Sequence, residues 1–225
     1  GSEEKYVFPG DGEGPVRKIF VDKYSISKYS VTVSEFKRFI DATNYVTDAE
    51  RFGWSFVFFD QLKNNSFTES VQNAPWWIKV EKACWNLPDG ENIDINKYAD
   101  HPVTHISWQD AQEYCKWSGT RLPTEAEWEF AARGGLDQKK YPWGDELNLG
   151  GETLCNIFDG DSPDKNNAPE NMRFTTNVDM FKPNNFGLYN MVGNVWEWTQ
   201  DWFTRFHNPE INVNPTGPEK GNNKV

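Results

Sequence analysis

Long hydrophobic runs are missing from this chain. No stretch approaches the roughly 18 consecutive apolar residues of a membrane-spanning helix, and the mean hydropathy is −0.78. Cysteine is scarce: Cys84, Cys115 and Cys155 are three in 225 residues, and no two have the short spacing of a zinc or dithiol redox site. The odd number points to a partner cysteine outside this sequence. Basic residues fall short of acidic ones, 23 Lys and Arg against 34 Asp and Glu, for a net charge of −11. That balance argues against a nucleic-acid backbone or an anionic membrane as partner and suits divalent cations. Ser/His/Asp hydrolase, phosphate-loop and dinucleotide motifs are also absent. What the chain has in excess is aromatic mass, 16% with 11 Trp and 16 Phe, which excludes a disordered composition.

Three helices are legible. Thr32 and Glu35 form a capping box ahead of Phe36, Phe39 and Ile40 at helical spacing, with an end near Asn44. Ser107 caps a second helix that turns Ala111, Tyr114, Cys115 and Ser118 to one face, and Gly119 stops it. Thr124 and Glu127 open a third, with Trp128, Ala131 and Ala132 inward and Gly134-Gly135 at its end. Strand candidates are short, at 18–21, 56–59 and 103–106. Residues 141–185 are rich in Gly, Pro, Asn and Asp and carry no lasting period, so something besides secondary structure must hold them. Bound metal is the candidate. The organisation expected is one irregular α+β domain over residues 1–225.

Several segments stand out together as a set. They are Asp11-Gly-Glu-Gly-Pro-Val-Arg17, Tyr45-Val-Thr-Asp-Ala-Glu-Arg-Phe-Gly-Trp-Ser-Phe-Val-Phe58, Pro75-Trp-Trp77 and Asp100-His-Pro-Val-Thr-His-Ile-Ser-Trp108. Arg121-Leu-Pro-Thr-Glu-Ala-Glu-Trp-Glu-Phe130, Tyr141-Pro-Trp-Gly144 and Asn185-Phe-Gly-Leu-Tyr-Asn-Met-Val-Gly-Asn-Val-Trp-Glu-Trp198 complete the set. In that order they resemble the formylglycine-generating enzyme (sulfatase-modifying factor) family, and the resemblance implies a C-type-lectin-like fold of low secondary-structure content with two structural calcium sites. It also implies a chemistry: a cysteine in a sulfatase Cys-x-Pro-x-Arg segment is oxidised to Cα-formylglycine by molecular oxygen, with copper(I) held by two cysteines. Those cysteines lie beyond a segment that Asn214-Pro-Thr-Gly-Pro218 matches, and none of the three present corresponds to them. The expectation is a domain incomplete at both ends, inactive alone, with copper only in the complete parent. Two alternatives stay open: a non-catalytic paralogue that binds a peptide or protein, and a calcium-dependent sugar-binding domain.

By the same resemblance, one calcium site takes Asn190, Gly193, Val195 and Glu197, and a second takes Asn156, Ile157, Glu170 and Met172. In the second, Asp159, Asp161 and Asp164 compete with Glu170. Ala49, Glu50, Phe52, Trp54 and Ser55 would line a peptide groove with Trp196, Glu50 facing the substrate arginine. His101 and His105 lie four apart, but Pro102 and the β-branched residues around it argue against a helical metal pair and for structural hydrogen bonding. His207 reads as solvated. Cys115 has two readings, a buried thiol or one half of a bridge to a segment not present. Glu125, Glu127 and Glu129 read as cap and first-turn residues rather than a catalytic cluster.

Overall fold

A computed structural model of the chain describes residues 10–62, 69–91, 93–160, 166–208 and 210–225. Its helices are α1 (Val33–Thr43), α2 (Asp48–Phe52), α3 (Trp108–Ser118) and α4 (Glu125–Arg133), and its strands are β1 (Trp54–Phe58), β2 (Ser70–Val71) and β3 (Ala74–Glu81). This is the irregular α+β architecture expected, with most of the chain outside regular elements. Asp161 and Asp164, the competing ligands of the second calcium site, lie outside the described residues.

All four helices begin with a reciprocal capping box, Thr32/Glu35, Thr47/Glu50, Ser107/Asp110 and Thr124/Glu127. Each box satisfies amide donors that a helix start otherwise leaves unpaired. Each helix also ends on a residue in the left-handed region: Asn44, Gly53, Gly119 and Gly134. Three of these helices match the sequence expectation. The five-residue α2 was missed, although its Thr47-x-x-Glu50 box is as plain as the others.

The strands needed more correction. The first candidate contributes only Phe20, in an isolated parallel bridge to Val213, and 103–106 forms no strand because Pro102 bridges Thr32 instead. The middle candidate starts earlier, at Trp54, and Phe59 already belongs to a 3-10 turn. β3 was not among the candidates; its Pro75 sits in the strand's first residues, opposite the bulged end of β2. The sheet order is β1-β3-β2, antiparallel throughout, with Ser55 opposite Val80 and Phe58 opposite Trp77. Residues near both ends meet: Phe20 donates to the Asn212 carbonyl and accepts from Asn214 N–H. His207 is not simply solvated, since its Nε2 lies 2.8 Å from the Gly12 carbonyl oxygen.

Two apolar clusters organise the body. Val33, Phe36 and Phe39 of α1 pack with Trp85, and Tyr114 of α3 closes over them. Fully burying each phenylalanine contributes on the order of 2–3 kcal/mol. Ala131 and Ala132 of α4 pack with Leu188 and Met191, which ties α4 to the irregular region.

Candidate functional site

α2 is held by a buried carboxylate. Asp110, with no exposed surface, accepts from Tyr45 Oη (2.9 Å), Asp48 N–H (3.0 Å) and Ser107 N–H (2.9 Å). Burial, and then the hydrogen bond to Asp110, push the Tyr45 phenol up to about 12, so it stays a donor. Asp48 accepts from Ser107 Oγ at 2.7 Å, a second tie from α2 to α3. Ala49 is buried under the helix, and Glu50 Oε2 is committed to the cap, taking the Thr47 amide and hydroxyl.

Gly53 then reverses the chain into β1, and the two-residue alternation divides it. Trp54, Phe56 and Phe58 share one face with Trp77, while Ser55 and Val57 share the other. The rings on the first face follow one another: Phe52 to Trp54 at 6.3 Å, Trp54 to Phe56 at 5.1 Å, Phe58 to Trp77 at 5.6 Å and Trp77 to Trp196 at 6.1 Å. Lys79, paired with Glu69, lies over the Trp54 ring at 5.2 Å. Phe52 is 67% exposed and Trp196 is 92% exposed. Of the expected groove residues, Phe52 and Trp54 (with Phe56) and Trp196 (with Trp77 and Phe58) thus form two ring groups along one open aromatic stripe. Ala49 and Ser55 are not part of it. Ser55 instead meets His105, whose Nδ1 is 2.9 Å from Ser55 Oγ and whose Nε2 is 2.9 Å from the Pro88 carbonyl. His101 bonds Thr175, so both histidines take hydrogen-bonding rather than metal-binding roles.

The turn at 190–197 carries three residues of positive φ, Asn190 (51°), Gly193 (79°) and Asn194 (66°). A Cβ at Gly193 would collide with the Asn156 carbonyl oxygen, which itself accepts from Asn194 N–H at 2.7 Å. Asn190 Nδ2 donates to the Val178 carbonyl at 2.8 Å, but Asn190 Oδ1 is buried without a partner. Among the described residues only Trp85 Nε1 shares that condition, and a lone N–H cannot ligate a cation. Glu197 accepts from Ser30 Oγ and Trp128 Nε1, both at 2.6 Å, which fixes the carboxylate and leaves lone pairs on each oxygen. An orphaned amide oxygen, turn carbonyls and a fixed carboxylate are the hard oxygen donors calcium takes. No group of three or more His, Cys, Asp or Glu gathers among the described residues, so this donor set does not suit zinc.

The second expected site is less closely drawn. Asn156 is buried, its Nδ2 donating to the Phe174 carbonyl at 2.6 Å, while Ile157 is partly exposed. Glu170 and Met172 bound a 3-10 turn, with the Glu170 side chain in solvent. Copper(I) does not fit the cysteines present. Cys84, Cys115 and Cys155 are all buried and unbridged, and burial pushes each thiol up, away from the thiolate that copper requires.

Comparison with known proteins supplies the frame for these features. The family described as "Sulfatase-modifying factor enzyme 1-like domain" matches residues 1–224. A "Formylglycine-generating enzyme" of Thermomonospora curvata is 46% identical over 231 residues, across the whole of this chain and 76% of that protein. One of Bos taurus is 45% identical over 218 residues, across 96% of this chain and 58% of its own length. An "Inactive C-alpha-formylglycine-generating enzyme 2" of Bos taurus is also 45% identical, across 84% of this chain and 63% of its own. The solved structure of PvdO from Pseudomonas aeruginosa superposes with a TM-score of 0.61 at 24% identity, over 98% of this chain and 73% of that one, a likeness of fold.

Proposed function

The chain belongs to the sulfatase-modifying factor enzyme 1-like family, and from that premise we propose that it forms the peptide-binding, calcium-stabilised body of a formylglycine-generating oxidase. The substrate would be a sulfatase segment containing Cys-x-Pro-x-Arg. Molecular oxygen would be the oxidant, and the oxidation would depend on a copper-binding cysteine pair that Cys84, Cys115 and Cys155 do not supply. The observation that carries the reading is the aromatic stripe ending in Trp196. A tryptophan 92% exposed yet seated against Trp77 is a surface kept open for an apolar ligand. An extended peptide laid along the sheet face would cover these rings.

One observation favours a second reading, a non-catalytic binding module: every thiol in the chain is buried. A single experiment separates the two claims within the proposal. The 225-residue chain is incubated with a Cys-x-Pro-x-Arg peptide, copper(I) and oxygen; binding is followed by tryptophan fluorescence and product by mass spectrometry. The expected result is saturable binding without conversion. Formylglycine formed by this chain alone would overturn the assignment of oxidation to other cysteines, and no binding would overturn the peptide site.

A further inference from the structure

The sheet register brings charge onto the same face as the aromatic stripe. Directly opposed residues of an antiparallel pair point to one side, and β1 and β3 align Trp54 with Glu81, Phe56 with Lys79 and Phe58 with Trp77. Lys79 and Glu81 therefore stand with the rings of Trp54 and Phe56, while Trp77 stands with Trp196 at the other end. Lys79 has its partners: Nζ is 2.8 Å from Glu69 Oε2 and 5.2 Å from the centre of the Trp54 ring. Its ammonium is held above the ordinary range, first by that hydrogen bond and then, against desolvation, by the charges of Glu69 and Glu81. Glu81 has no such bond. Its side chain is exposed, and among the described residues it makes no hydrogen bond or ion pair, with neighbouring Lys82 or any other cation. Glu69 and Lys79 offset each other, so this end of the stripe keeps one negative charge in excess.

Glu50, the residue expected to face a substrate arginine, is placed differently. It lies on α2, with Oε2 bonded to the Thr47 amide and hydroxyl. Its charge bears on the buried Cys84 thiol, which burial already raises. Spacing also favours Glu81. In Cys-x-Pro-x-Arg the arginine follows the cysteine by four residues, and in β3 Glu81 follows Trp77 by four. Either interval spans about 13 Å in an extended chain. A peptide laid along β3 with its arginine at Glu81 thus sets its cysteine beside Trp77 and Trp196.

We propose that Glu81 is a specificity-determining residue of the peptide site: it pairs with the guanidinium of the substrate arginine and so fixes the direction in which the peptide lies. The proposal rests on the peptide-binding reading above. A carboxylate accepts two parallel N–H bonds from a guanidinium, a geometry that an ammonium does not match, so arginine is preferred to lysine.

A cycle between protein and peptide, on the full chain, tests this. Glu81→Gln keeps the shape of an exposed side chain and removes its charge. It should weaken binding of a Cys-x-Pro-x-Arg peptide by about 3- to 10-fold, between the worth of an exposed ion pair and that of a charge-assisted hydrogen bond. Binding of the matching Cys-x-Pro-x-Gln peptide should not change. Raising salt from about 0.05 to 0.5 M should weaken arginine-peptide binding more in the unaltered chain than in the variant. Glu50→Gln, which preserves a capping oxygen, should treat the two peptides as the unaltered chain does. A Glu81→Gln penalty that is absent, or equal for both peptides, overturns the proposal, as does a Glu50→Gln penalty confined to the arginine peptide. A spin label on the peptide cysteine should broaden the indole NMR signal of Trp196 more than that of Trp54, and the reverse order overturns the direction. The two readings fail separately. Peptide binding that persists and ignores Glu81→Gln removes the role of Glu81 only, whereas an unaltered chain that binds neither peptide removes the peptide site as well.

Discussion

Asn190 offers the sharpest test of the metal assignment. Replacing it with alanine removes the 2.8 Å bond to Val178, worth about 1 kcal/mol, and leaves a Cβ residue at φ 51° without the local bonding that suits asparagine there. The same change removes a buried, unpartnered oxygen whose desolvation costs about 1–3 kcal/mol. In chelator these effects nearly cancel, and Asn190→Ala should unfold within about 1 kcal/mol of the unaltered chain. Calcium changes the comparison. At a hundred times its dissociation constant, a cation that binds only the folded state adds about 2.7 kcal/mol. At roughly 2–4 °C per kcal/mol for a chain of this size, the melting temperature should rise by about 5–11 °C. Asn190→Ala should forfeit the part of that rise owed to this turn, and its bound-calcium stoichiometry should fall by one. Differential scanning calorimetry with and without EDTA, alongside equilibrium dialysis, reads both. No rise in the unaltered chain refutes calcium, and an equal rise in the variant refutes the assignment of Asn190 as a ligand.

Gly193→Ala should behave differently, destabilising by about 2–4 kcal/mol with or without calcium, because both its φ of 79° and the Asn156 carbonyl exclude a Cβ; a penalty that vanishes in chelator would tie the glycine to the metal rather than to packing. His105 predicts a pH dependence. Its folded pKa, about 4, lies below the unfolded value near 6.5, so the unfolded chain binds more protons between them and stability rises with pH. The contribution is complete above about pH 6.5 and is lost as pH falls toward 4, a total of about 3 kcal/mol at 1.36 kcal/mol per pH unit. Urea unfolding of the unaltered chain and His105→Gln across that range should diverge by this amount; parallel curves, in which the carboxylates contribute equally to both, would refute it.

The helices were legible because their signals are local. A capping threonine or serine ahead of an apolar period, and a closing glycine or asparagine, lie within one segment, and three of the four helices were read from them. The fourth box, at Thr47 and Glu50, was overlooked only because five residues leave no room for an apolar period. The sheet was harder because its evidence lies in pairing. Pro75 argues against a strand until its position at the bulged end of the β2 pairing is known. The groove shows the same limit: Trp54 and Ser55 are neighbours in sequence and were grouped, but the alternation of β1 sends them to opposite faces.

The irregular region poses the question in its strongest form, since composition demands that something hold residues 141–185 together and does not say what. Much of the answer is asparagine. Asn184 takes the amides of Phe186 and Leu188 on its oxygen and gives its own hydrogens to the Ala131 and Ala132 carbonyls. Asn194 takes the Thr176 amide and gives to the Thr176 carbonyl, while its backbone donates to Asn156. Both side chains use donor and acceptor alike, and each fastens one irregular segment to another as a ladder bond would. Asn190 stands in the same motif with the same chemistry, yet it uses only its donor. Sequence cannot distinguish these three residues, because the difference is whether protein fills the second half of the amide. An asparagine with both halves filled is a fastening and has no need of a ligand. One whose buried oxygen faces no protein donor is the position proposed for a cation ligand, and that contrast singles out Asn190 from Asn184 and Asn194.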